Sequence, residues 1–118
     1  MAQDFERAVA FDSAGDVDIG TTARTIITSN SDDAVIGIRL TNVTTAPIKA
    51  DVYITSTASG SSADSYIVKG APIAAGGSLE LIDGGAKIVL LSGDALKAKS
   101  DTDASLNVWV SYIDSIST

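Results

Sequence analysis

Between Ala74 and Ile113 the chain reads AAGGSLELIDGGAKIVLLSGDALKAKSDTDASLNVWVSYI, a series of short apolar runs parted by GG, IDGG, LSGD and SDTDAS. Runs this short, bounded by glycine and aspartate, are strands and turns. In ALKAKS, Leu96 and Ala98 fall on one side and Lys97 and Lys99 on the other, a separation that a helix would smear around its surface. In SLNVWVSYI, Leu106, Val108, Val110 and Tyr112 share one face, and Asn107, Trp109, Ser111 and Ile113 the other. SLELI directs Leu79 and Leu81 inward and Glu80 outward, and Asp83-Gly84-Gly85 is expected to close a hairpin onto KIVLL. KIVLL is almost continuously apolar, as expected of a central strand covered on both faces or switching sheets. Strands with a single apolar face cannot stand alone, so the first half of the chain must supply a second layer.

The first half has the means. RTIIT (24–28) is a short β-rich run. AVIGIRLTN (34–42) alternates, with Ile36, Ile38 and Leu40 on one face and Val35, Gly37, Arg39 and Thr41 on the other. IKADVYIT (48–55) puts Ile48, Ala50, Val52 and Ile54 on one side and Lys49, Asp51, Tyr53 and Thr55 on the other, and the two runs are expected to pair antiparallel around VTTAP. STASGSSADS (56–65) reads as a surface loop, and SYIVK (65–69) as a strand ended or bent by Gly70-Ala71-Pro72, with Pro72 at an edge or crossover. Residues 1–20 read as an irregular N-terminal arm ending in a short strand at Val17 and Ile19. It holds both phenylalanines of the chain, Phe5 and Phe11. Two uses fit such an arm: packing on its own domain or reaching a neighbouring subunit. The expectation is an all-β protein with the arm (1–20) and one domain (21–118). That domain is an antiparallel β-sandwich or jelly-roll-like barrel of about eight to ten short strands.

Composition narrows the chemistry. There is no histidine and no cysteine, so the usual general base, thiolate nucleophiles, disulfides and the usual zinc ligands are missing. Serines lie in neither a GxSxG elbow nor an SxxK motif. The aspartates sit mainly in turns, where their ordinary work is to accept backbone N–H bonds, and Glu80 is on an outward strand face, unsuited to a buried acid. No enzymatic activity, cofactor or metal is therefore expected. FDSAGDVDIG and SDTDAS are the stretches with most claim on calcium, but neither has the spacing of a calcium loop. The glycine pairs at 76–77 and 84–85 precede strands, not helices, and so make turns rather than phosphate cradles. A net charge of -7 speaks against nucleic acid and anionic membranes as partners. No run approaches the roughly 18 apolar residues of a membrane helix. No secretory signal is read in MAQDFERAVAF, so Asn42-Val43-Thr44 is expected to match the glycosylation triplet by coincidence.

Trp109 is the single tryptophan, and alternation turns it outward with Ile113. Three readings are open: a contact with a subunit or other partner, a carbohydrate-stacking platform, or cover by a loop or the arm of the same chain. Tyr53 carries the same ambiguity. The candidate interface is thus Phe5, Val9, Phe11, Tyr53, Trp109 and Ile113.

Residues 66–114, from YIVKGAPIAAGGSLELIDGG through KIVLLSGDALKAKS to the last strand, resemble small β-sandwich virion proteins of tailed bacteriophages, especially marine and cyanobacterial phages. IRLTNVTTAPIKADVYIT is a looser echo. The resemblance implies a non-enzymatic virion protein made in the bacterial host cytoplasm. It would be a capsid decoration or cement protein forming homo-oligomers, its partners copies of itself and other virion proteins such as the major capsid protein. A neck, tail or fibre protein, or a carbohydrate- or receptor-binding adhesion module, is the alternative.

Overall fold

The computed structural model describes residues 4–10, 19–29, 31–56, 63–82 and 87–114. These hold nine strands: β1 (Asp4–Ala10), β2 (Arg24–Thr28), β3 (Asp33–Asn42), β4 (Ile48–Ser56), β5 (Ala63–Ile73), β6 (Ser78–Glu80), β7 (Ile88–Leu90), β8 (Ala95–Ser100) and β9 (Leu106–Asp114). They form two antiparallel sheets packed as a sandwich. The first has the order β1-β9-β3-β6, with β7 also on β3, and the second the order β2-β8-β4-β5. β6 pairs with Arg39–Thr41 and β7 with Asp33–Val35, so the two lie end to end along one edge of β3 as a single interrupted strand. Counted so, the chain is a long hairpin rolled up on itself, its pairs being β1 with β9, β2 with β8, β3 with β6 and β7, and β4 with β5. That is the jelly-roll order.

The roll revises three local expectations. β3 and β4 do not form a hairpin; they lie in opposite sheets, and VTTAP is the corner between them. Asn42 makes that corner. Its fully buried Nδ2 donates to the carbonyls of Ala46 (2.8 Å), Ile73 (3.1 Å) and Ala74 (3.2 Å), while Oδ1 accepts from Thr44 N (2.9 Å) and Oγ1 (2.7 Å). The amide of the apparent glycosylation triplet is thus structural. β6 and β7 likewise share β3 instead of pairing with each other; Asp83-Gly84-Gly85 lies outside the described residues. KIVLL is not a central strand: β7 is a three-residue edge, with Val89 and Leu91 exposed.

The core lies between the sheets. Ile38, Leu40, Leu106, Val108 and Val110 face Ile48, Ala50, Val52, Leu96 and Ala98, all 2% exposed or less. β4, β8 and β9 bury the faces that alternation assigns. β3 departs from it, because its register on β9 shifts between Val35 and Gly37. The bulge puts one extra residue in the strand, so Val35 joins Ile38 and Leu40 in the core and Ile36 is only half-buried. β5 continues through Gly70 (φ 66°) and Pro72, and it is an edge strand, where Pro72 costs no interior ladder bond. The 1–20 segment contributes edge strand β1 to the first sheet and a bridge from Ile19, fully buried, to Leu106. Gly20 sits close beside that bridge: an added Cβ would stand 3.0 Å from the Asp103 backbone, which would have to give way.

Candidate functional site

The outer face of the first sheet gathers what the core does not use. Its residues lie in rows fixed by the strand register. Val9, Trp109, Arg39 and Glu80 are Cα partners in one row across β1, β9, β3 and β6. Phe5, Ile113, Ala34 and Val89 are partners in another, across β1, β9, β3 and β7. Four of the six candidate residues therefore fall in two rows of one sheet, although they come from opposite ends of the chain. Phe11 lies outside the described residues. Tyr53 belongs to the second sheet.

In the first row Trp109 is 48% exposed. The Arg7 guanidinium lies over its ring, 5.2 Å from the centroid, a cation–π contact. On the β3 side of the ring is an open hollow of about 620 Å³, lined by Gly37, Arg39, Thr41, Glu80, Asn107, Val108, Trp109 and Ser111. Its depth has a simple origin. Gly37 has no side chain, and an added Cβ would meet only the Ser111 Cβ, at 3.9 Å. The rim is polar: Arg39 Nε donates to Glu80 Oε1 at 2.6 Å, with both side chains substantially exposed. Asn107 Oδ1 is shielded from solvent and accepts no hydrogen bond from the described residues. In the second row Val89 is 54% exposed, Leu91 beyond it 48%, and Ile113 half-buried, leaving an apolar band toward the β7 edge.

Tyr53 is placed differently. Shifts in the β4–β5 register flank its neighbour Val52, and both Val52 and Tyr53 are buried. Its ring sits 5.0 Å from that of Tyr66, and the Lys69 ammonium lies 4.3 Å from the Tyr66 centroid. Burial, then the charges of Asp64, Tyr66 and Asp51, push the Tyr53 phenol above its ordinary pKa of 10.0. Burial, followed by Glu6, Asp33 and Asp114, does the same to Tyr112.

Most of the described aspartates accept hydrogen bonds from the chain itself. Asp101 Oδ1 accepts from Lys49 N at 3.1 Å, which lowers its pKa with help from Thr102, and Asp103 Oδ1 accepts from Thr21 Oγ1 at 3.1 Å. Among the described residues no three His, Cys, Asp or Glu side chains stand as a metal-binding group. Sequence alternation found Trp109 but missed the hollow beside it. GIRL held the signal, a glycine two residues before an outward arginine, though only strand pairing places Gly37 opposite Ser111.

No protein-family model matches the sequence, and no curated protein matches it. Among solved structures the fold is similar to a chain in the crystal structure of the T13 IBDV viral particle, described in connection with the evolution of icosahedral viruses. The TM-score is 0.54 and the identity 10%. The match takes in 96% of this chain and 31% of that one, so this protein corresponds to under a third of its structural neighbour. At such identity the likeness is one of fold.

Proposed function

We propose that the protein is a non-enzymatic structural component of a virus particle, a bacteriophage capsid decoration or cement protein that assembles in copies on the particle surface. The observation that carries this reading is the jelly roll itself, shared over nearly the whole chain with a viral-particle chain. The phage-like motifs of residues 66–114 point the same way. The apolar band of Val89, Leu91 and Ile113 supplies a contact surface of the kind a subunit interface uses. An acidic chain without cysteine suits a particle surface, because a net charge of -7 disfavours contact with nucleic acid and no disulfide has to form.

Mass spectrometry of purified particles made from the genome that encodes the chain is the direct test. A stoichiometric presence, with the chain located on the shell in a particle map, is expected. Particles that lack it, together with a strictly monomeric protein that ignores empty capsids in co-sedimentation, would overturn the reading. Leu91→Asp, an exposed change, should weaken co-sedimentation without altering the fold.

A further inference from the structure

The hollow beside Trp109 has features that a subunit contact does not require. Arg7 lies over the indole, and the same indole is one wall of the hollow, whose described lining comes from β3, β6 and β9. A cation held over the ring fixes it as a platform. The polar groups around that platform are mixed in character. Arg39 brings N–H donors, Glu80 carboxylate acceptors, Thr41 and Ser111 hydroxyls, and Asn107 an amide. Because Arg39 and Glu80 neutralise each other at 2.6 Å, the rim carries no net charge. The volume, about 620 Å³, lies within the roughly 300–1,000 Å³ of ordinary small-molecule sites.

We propose that the hollow bounded by Trp109, Gly37, Arg39 and Glu80 binds an uncharged oligosaccharide, one pyranose ring stacking on Trp109 and its hydroxyls bridging the Arg39–Glu80 pair. A sugar ring has the two properties this site matches: an axial C–H face that packs on an aromatic ring, and vicinal hydroxyls that donate and accept at once. A phosphate or uronate would have to compete with Glu80, and a purely apolar ligand would leave the rim unpaired. Gly37 is the specificity element, since its missing side chain makes the room. The inference does not rest on the particle reading; a sugar-binding jelly roll and a virion jelly roll are each possible without the other.

The single tryptophan makes the site its own reporter. The full-length chain is titrated with soluble tetrasaccharides of β-1,4-glucan, α-1,4-glucan, β-1,4-mannan and β-1,4-galactan, following Trp109 emission and saturation-transfer NMR. At least one is expected to saturate a fluorescence change and to show transfer to ring C–H protons. Gly37→Leu, which fills the hollow from a position without backbone strain, is expected to weaken that binding about tenfold or more. Trp109→Ala, followed by NMR alone, should do the same. Both variants should keep the parent circular dichroism and unfold cooperatively, within a few degrees of the parent melting temperature. Glu80→Gln retains size and should reduce affinity less than Gly37→Leu. No response from the whole panel, or affinity unchanged in a folded Gly37→Leu, overturns the proposal. So does shielding of Trp109 from acrylamide by capsids but by no saccharide, which would make the face a protein contact.

Discussion

The two sheets of this sandwich treat their outer aromatic residues in opposite ways. On the second sheet Tyr53 and Tyr66 pack ring to ring, Lys69 lies on Tyr66, and Tyr53 ends buried. On the first sheet Trp109 also has a cation, Arg7, yet about half its surface stays in water above a hollow. The difference comes from the partner strand. Tyr53 faces Tyr66 on β5, a large side chain, while one row from Trp109 the β3 position is Gly37. An outward aromatic residue is therefore not a functional signal by itself. What its cross-strand neighbours leave uncovered is the better signal.

The largest separation between the two faces should appear in stability. Tyr53→Ala removes a buried ring and should lower the unfolding free energy by roughly 2–4 kcal/mol, whereas Trp109→Ala should cost under about 1 kcal/mol. Urea denaturation followed by circular dichroism measures both, and equal losses would erase the contrast. Next is pH. The Tyr53 phenol is raised in the folded state, so its contribution is fully present below the unfolded pKa near 10.0 and lost as pH rises through the higher folded value. Tyr53→Phe should flatten the alkaline loss of stability above about pH 10, leaving the part owed to Tyr112, whose phenol is raised as well. An unchanged alkaline limb would show that Tyr53 is not sheltered. A smaller effect is expected from Arg7→Ala: acrylamide should quench Trp109 more readily, with a stability change of about 0.5–1 kcal/mol. The smallest belongs to Arg39→Ala. That exposed ion pair should contribute about 0–1 kcal/mol, diminishing with added salt. A loss above that range would show the rim to be part of the scaffold.

Alternation along the chain told which face each residue takes, and for β4, β8 and β9 it told correctly. Leu96, Ala98, Val108 and Val110 are core, and Trp109 is out. It could not tell which strands lie side by side, because period 2 describes a strand's own faces and not its neighbour. Hence β3 and β4 read as a hairpin, although the buried Asn42 amide turns the chain across to the other sheet. In a rolled ribbon only the β4–β5 connection joins adjacent strands within one sheet in the ordinary hairpin way. Bulges were hidden for the same reason. The shift between Val35 and Gly37 reverses the apparent facing of Val35, and the extra residues that β5 carries on either side of Val68 are equally unmarked. The hollow was the least legible feature, since Gly37, Trp109 and Glu80 are far apart in sequence and meet only through β3.

The last of the described strands occupies the middle of its sheet. β9 lies between β1 and β3, and its inward residues fill the centre of the core. Until synthesis reaches Leu106–Asp114, β1 has no partner and β3 lacks one flank. Most of the pairings that must then form are distant in sequence, a topology that folds slowly and cooperatively. A ribosome-bound fragment ending before β9 thus cannot present either row of the outer face. Both the apolar band and the tryptophan hollow come into being only once β9 has been made, so the order of translation itself defers recognition by this face until that strand is in place.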